Sequence, residues 1–209
     1  MKPRPIPFVD LKTQHERLKP RIEARVGAVL EHCRFVLGPE VEEFEAELAR
    51  FAGSAHAIGI SSGTDALLIA LLAEGIGAGA AVFVPAFSFA ATAGAVVAAG
   101  AEPVFVDVDP RTYNIDPQDL ERRIARVGAE GRLRPRAVIA VDLFGLPADY
   151  AALDAVAKRH GLFLLADAAQ SFGASLAGVR VGRLAPVTAT SFYPTKPLAC
   201  YGDGGALLT

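Results

Sequence analysis

At 209 residues the chain is long enough for one large domain, which by size scaling buries roughly 70% of the surface its unfolded form exposes and needs no covalent staple. Its 21 basic and 23 acidic residues leave a formal net charge of −2 of mixed sign, which argues against nonspecific nucleic-acid binding. Cys33 and Cys200 lie far apart and form no paired motif with the four histidines, so neither a disulfide framework nor a zinc site is expected, and a reduced, cytoplasmic setting is the simplest reading.

The N-terminal stretch "MKPRPIPFVDLKTQ" lacks the apolar core of a signal peptide. Amphipathic helical patterns follow over residues 15–50, with Leu18, Ile22, Val26 and Leu30 at four-residue steps and Val41, Phe44 and Leu48 after an "LGPE" break. Residues 1–50 therefore read as a helical N-terminal arm. From there strands and helices alternate: a strand at "AHAIGI", a helix at "TDALLIALLAEG", a strand at "AVFVPA", a helix at "FAATAGAVVAAG" and a strand at "PVFVDV". The alternation continues with a helix after "DPQDLERRI", a strand at "RAVIAVDL", a helix at "DYAALDAVAKRHG", a strand at "LFLLADA" and two further strands near "TATSF" and "GALLT". The window "FAATAGAVVAAGA" is too short to span a bilayer and is expected to be a buried helix. Apolar strands alternating with amphipathic helices imply an α/β fold with a mostly parallel sheet flanked by helices in three layers.

Two nucleotide signatures fail against this order. "GIGAG" (75–79) follows a predicted helix and precedes a predicted strand, the reverse of a dinucleotide-binding turn, and no P-loop sequence is present.

Three stretches carry candidate chemistry. "SSGTDAL" places Ser61, Ser62, Gly63 and Thr64 between a strand and a helix, where helix-start N–H groups and the Thr64 hydroxyl suit a phosphate; an ordinary N-cap at Ser62 or Thr64 is the competing reading. "LFLLADAAQ" ends a hydrophobic strand in Asp167, with Gln170 three residues on, and ligands of open α/β sheets gather at such strand ends; Asp167 as a simple turn cap competes. "SFYPTKPLACYGDGG" puts Lys196 after a strand and before Asp203-Gly204, a pair suited to a tight turn with positive φ. A strand-end lysine beside that carboxylate is placed to form a Schiff base with an aldehyde. Phosphate cradle, aspartate and lysine are the contacts that pyridoxal 5′-phosphate requires, with Phe89 as the candidate stacking ring and Phe87 its competitor.

Through "FVDLKTQ", "FVLGPEVEEFE", "SSGTDAL", "VPAFSFAAT", "VDVDPRTYNID", "DAAQSFGA" and "SFYPTKPLACYGDGG" the whole chain resembles the fold type I sugar aminotransferases of the DegT/DnrJ/EryC1/StrS family. The resemblance implies that residues 51–209 form a pyridoxal phosphate-binding large domain. Lys196 is then the Schiff-base lysine, Asp167 the partner of the pyridinium nitrogen, and Gln170 a contact to the ring's 3-oxygen. Gly63, Thr64 and Ser191 hold the phosphate, and Phe89 stacks on the ring. It also implies transfer of an amino group from L-glutamate to a keto nucleotide sugar for surface polysaccharide or amino-sugar biosynthesis, by a homodimer with shared active sites. Family members are longer, so the large domain is expected to be incomplete here, with the C-terminal small domain absent from this chain. "KPLACYGDGG" is most similar to the branch that aminates C3 of 3-oxo UDP-N-acetylhexuronic acids, with Pro197 the main discriminator. The competing functions are a truncated noncatalytic regulator or partner subunit on the same fold, a Ser/Lys hydrolase using Ser191 or Ser61 with Lys196, and a nucleotide-binding protein without pyridoxal phosphate.

Overall fold

The computed structural model describes residue 6 and residues 8–209, so that part of the N-terminal stretch discussed above, residues 1–5 and 7, lies outside the described residues. Two compact units divide between Phe44 and Glu45. In the first, helix α1 (Leu11–His32) begins at Asp10, whose carboxylate accepts from the Thr13 N–H at 3.0 Å and the Thr13 hydroxyl at 2.7 Å, and it ends at Cys33 in the left-handed conformation. The four-residue apolar row forms as its spacing predicts, yet none of its side chains is buried. Helix α2 (Pro39–Ala52), whose residues from Glu45 onward belong to the second unit, opens on a proline with Glu40 and Glu42 in the first turn, a composition that suits the positive end of the helix dipole.

The second unit is a three-layer α/β fold. Its strands are β1 (Ala57–Ile60), β2 (Ala80–Pro85), β3 (Glu102–Val106), β4 (Arg134–Val141), β5 (Phe163–Asp167), β6 (Ser175–Leu176), β7 (Val179–Arg180), β8 (Val187–Ser191) and β9 (Gly205–Leu208). Seven of them form one sheet in the order β1-β9-β8-β5-β4-β2-β3. The pairings from β3 through β2, β4 and β5 to β8 are parallel, and β9 lies antiparallel between β8 and β1. The remaining two strands make a short hairpin that sequence reading missed, because two-residue strands carry no alternating pattern.

Both faces of the central strands are buried, which is why their sequences are continuously apolar rather than alternating. Phe83, Val138, Ala140 and Leu164 face helices α5 (Pro117–Glu130) and α6 (Tyr150–His160), packing on Leu120, Ile124 and Leu153. Val82, Val84, Ile139 and Leu165 face helix α3 (Gly63–Ala73) and helix α4 (Ala91–Ala98), packing on Leu67, Leu71 and Val96. Each fully buried side chain of this size contributes about 1.5–3 kcal/mol. Helix α4 corrects the expectation of a buried helix: Ala95 and Val96 are fully buried, but Val97 is 61% exposed, so α4 covers one face of the sheet and keeps the other side in solvent. The "GIGAG" stretch lies between α3 and β2, the order that excluded a dinucleotide turn. Among the described residues no helix is long and apolar enough to cross a membrane.

Candidate active site

The carboxyl ends of β5 and β8, the start of α3 and the loop after β2 surround one cavity of about 370 Å³, within the range of small-molecule pockets. Its walls include Gly63, Thr64, Phe89, Asp167, Gln170, Ser191 and Lys196, so these seven candidates meet in one place.

The start of α3 is built by Ser62. Its hydroxyl accepts from the Asp65 N–H at 3.0 Å and its carbonyl from the Ala66 N–H at 3.0 Å, so the ordinary N-cap reading holds for Ser62. That leaves the N–H groups of Gly63 and Thr64, which no earlier turn can satisfy, at the cavity wall. Glycine is required at Gly63 and Gly205 by close approach. A Cβ on Gly63 would lie 2.6 Å from Ser191 Cβ, and one on Gly205 would lie 2.5 Å from the Ser62 carbonyl. The ends of β8 and β9 are thereby pressed against the helix start, and Ser191 lines the cavity beside Gly63 and Thr64.

Asp167 ends β5, nearly buried. One carboxylate oxygen accepts from the Ala169 N–H and the other from the Thr92 hydroxyl, each at 3.1 Å. Burial pushes its pKa up, while those two donors and the Lys196 charge oppose the rise. Asp167 is thus both the turn cap that its position allowed and a carboxylate presented to the cavity.

Lys196 is half-buried at the end of a turn closed by its own N–H on the Tyr193 carbonyl at 2.8 Å, and its Nζ stands 6.0 Å from the centre of the Phe89 ring. Gly204 does not take the positive φ expected of the Asp203-Gly204 pair. A Cβ on Gly204 would instead meet Cys200 Sγ at 3.0 Å, so the glycine there serves close packing of the loop after Lys196.

Phe89, 70% exposed in the protein alone, presents its ring to the cavity; Phe87 turns away onto Tyr113 and Phe144, with ring centres 5.7 and 6.5 Å apart. Ser61 lies outside the cavity lining and donates to Asp65 at 2.6 Å. The Ser191 oxygen accepts from the Tyr193 N–H at 3.3 Å. Among the described residues neither serine is hydrogen-bonded to Lys196, so the pairing that a Ser/Lys hydrolase uses is not formed.

Three supporting residues escaped the sequence reading. Thr92 follows Phe89 by one helical turn, and its signal was a hydroxyl in an otherwise apolar helix. Phe144 adopts a left-handed backbone, φ 56° and ψ 17°, and aims its N–H at Gln170 Oε1 at 2.8 Å. A backbone N–H only donates, so the Gln170 oxygen is committed and its amide NH₂ is the group left for the cavity. Asp142, which follows β4 as Asp167 ends β5, is fully buried among hydrogen-bond donors. Its signal was the repeated pattern of an apolar strand closing on aspartate.

The profile of the DegT/DnrJ/EryC1/StrS aminotransferase family matches residues 16–209. The chain belongs to this family. The UDP-2-acetamido-2-deoxy-3-oxo-D-glucuronate aminotransferase of Pseudomonas aeruginosa is 49% identical over 98% of this chain and 55% of that protein. The crystal structure of a DegT DnrJ EryC1 StrS aminotransferase from Brucella abortus superposes with a TM-score of 0.95 at 52% identity, over 98% of this chain and 55% of that one. The ntda protein of Bacillus subtilis, solved with bound cofactor PMP, superposes with a TM-score of 0.87 at 33% identity, over 100% of this chain and 46% of that one. The chain thus spans about half the length of the relatives it matches. Within that span its α/β architecture is that of the fold type I aminotransferase large domain.

Proposed function

We propose that the full-length protein is a pyridoxal 5′-phosphate-dependent aminotransferase that moves an amino group from L-glutamate to a keto nucleotide sugar, with a UDP-3-oxo sugar as substrate. The observation that carries this reading is the convergence of Lys196, Asp167, Phe89 and the α3 start on one cavity. The residues present fit the cofactor: a cradle that a single Cβ on Gly63 would fill, a carboxylate fixed by two donors, and an aromatic face opposite an amine. When bound, the cofactor supplies an aldehyde carbon and an electron-accepting ring.

In this reading the Gly63 and Thr64 N–H groups and the Ser191 hydroxyl bind the phosphate, and the helix dipole favours its charge. The Asp167 carboxylate holds the proton of the ring nitrogen. The Gln170 NH₂ donates to the ring's 3-oxygen, because Phe144 has already taken the amide oxygen. Phe89 covers one ring face. Lys196 Nζ, half-buried and not ion-paired to Asp167, serves as base and acid, carrying a proton to and from the α-carbon of the amino donor.

The substrate class follows the Pseudomonas aeruginosa relative and the "KPLACYGDGG" stretch. Pro197 is exposed and outside the cavity lining, so its influence on the sugar would pass through the adjoining Lys196 and Thr195, which line the cavity. The reading includes a homodimer with shared active sites in the cytoplasm, serving polysaccharide or amino-sugar biosynthesis.

Two measurements on the full-length protein test this. Borohydride should fix the cofactor covalently to Lys196, and a label on another lysine would remove the assignment. Protein loaded with pyridoxamine phosphate should regain the aldehyde absorbance faster with a UDP-3-keto uronic acid than with a dTDP-4-keto sugar. The reverse order would sink the substrate class, and no regain with any keto sugar would favour a noncatalytic regulator.

A further inference from the structure

Two neighbouring parallel strands lead into buried carboxylates, Asp167 at the end of β5 and Asp142 just after β4. The register pairs Val141 of β4 with Asp167 of β5, and the next residue, Asp142, donates its N–H to the Asp167 carbonyl at 3.1 Å. The Asp142 side chain is fully buried. Its Oδ1 accepts from the Ala148 N–H at 2.9 Å and the Tyr150 hydroxyl at 2.7 Å, and its Oδ2 accepts from the Ser171 hydroxyl at 2.7 Å. All three partners are neutral. The charged group acting most strongly on it is Asp167.

This arrangement is satisfied by the ionised carboxylate. Ala148 N–H is always a donor, and both hydroxyls are buried with Asp142 as their acceptor. A proton on Asp142 would have to point at one of those hydroxyls and leave that hydroxyl's own hydrogen without its acceptor. Burial works in the other direction and pushes the Asp142 pKa up, with the three donors opposing it. The titratable groups facing the carboxylate are Tyr150 from α6 and Asp167 from β5, and Lys196 reaches the pair through its charge on Asp167.

We propose that Asp142 is a positioning residue for Asp167: a locked, buried anion that deepens the negative potential at the end of β5 and thereby favours a cationic ring nitrogen there. Like charges on adjacent strand ends repel, and Asp142 is tied by three bonds while Asp167 faces the cavity. The repulsion is relieved when a cation settles against Asp167. The same network ties Ser171 to β4, so it also steadies the turn that carries Gln170. The inference rests on the reading that Asp167 meets the pyridine nitrogen.

The test compares binding of pyridoxal 5′-phosphate with binding of its 1-deaza analogue, whose ring lacks the nitrogen, to the full-length protein by absorbance titration. In Asp142→Asn the amide oxygen still accepts from Ala148 and Tyr150, while the NH₂ faces Ser171 and obliges that hydroxyl to redirect its own hydrogen, a structural cost that does not distinguish the two rings. The expected result is about tenfold weaker binding of pyridoxal phosphate with unchanged binding of the deaza compound, the scale of one unit charge acting through a screened interior. Tyr150→Phe removes one donor that holds the charge and should shift the same ratio in the same direction by less. Equal losses for both compounds, or no loss for either, in both variants would overturn the proposal, because a merely structural role cannot tell the two rings apart. Wild-type protein that shows no preference for the nitrogen-bearing ring, or a preference that Asp167→Asn leaves intact, would instead remove the reading of Asp167 itself.

Discussion

Thr92 donates its hydroxyl to Asp167 Oδ2 at 3.1 Å, from a position one helical turn after Phe89. One short segment therefore carries an aromatic ring that lines the cavity and the hydroxyl that holds a carboxylate lining the same cavity. Replacing Thr92 with Val keeps the shape and removes the donor. The buried oxygen then loses its partner, and cofactor-free protein should lose roughly 1–3 kcal/mol of unfolding free energy in urea, with Thr92→Ser recovering most of it. An unchanged unfolding midpoint would show that another donor satisfies Asp167.

Gly63 and Ser191 make a second tight relationship, with the hypothetical Gly63 Cβ only 2.6 Å from Ser191 Cβ. Gly63→Ala must push the end of β8 away from the helix start, spreading the N–H groups and the hydroxyl of the proposed phosphate cradle. Affinity of the full-length protein for pyridoxal phosphate should fall by about tenfold or more, on the scale of 1–3 kcal/mol for an overpacked contact. A double-mutant cycle identifies the cause: in a Ser191→Gly background the same alanine should cost clearly less. Equal costs in the two backgrounds would place the damage elsewhere.

Most of the fold was legible because the strands of the sheet are short apolar runs and the helices between them have a clear period. Lys196, Asp167 and the "SSGT" turn were readable as candidates because each stands where an apolar run stops, and the structure brings them to one cavity. Thr92, Phe144 and Asp142 were not, because their roles depend on pairs far apart in sequence, such as Thr92 with Asp167 and Asp142 with Ser171, or on backbone conformation such as the positive φ of Phe144. The positive φ assigned to the Asp203-Gly204 pair erred by taking glycine as a turn signal, when its small volume was what the packing used.

The pH dependence of stability tests the buried carboxylates directly. Burial holds Asp142 and Asp167 above the ordinary value of 3.8, so between that value and their folded pKa the native state carries more protons than the unfolded chain. Unfolding free energy must then fall as pH rises: the contribution is fully present below the unfolded pKa and is lost as pH climbs through the folded one. Asp109 acts with the opposite sign, since Arg111 holds its carboxyl down at about 2, and what it adds disappears as pH falls toward that value; Asp109 is only half-buried and its partner Arg111 is exposed, so the pair is strongly screened. Cofactor-free protein should therefore lose stability from the ordinary carboxylate range toward neutral pH, and Asp167→Asn should reduce that slope. Pyridoxal phosphate should reduce it as well, because a cation against Asp167 draws its pKa down. The measurement is urea unfolding at a series of pH values with and without cofactor. A slope unchanged by both the substitution and the cofactor would mean that Asp167 is not among the groups that titrate, and would leave Asp142 as the carboxylate to examine by the same experiment.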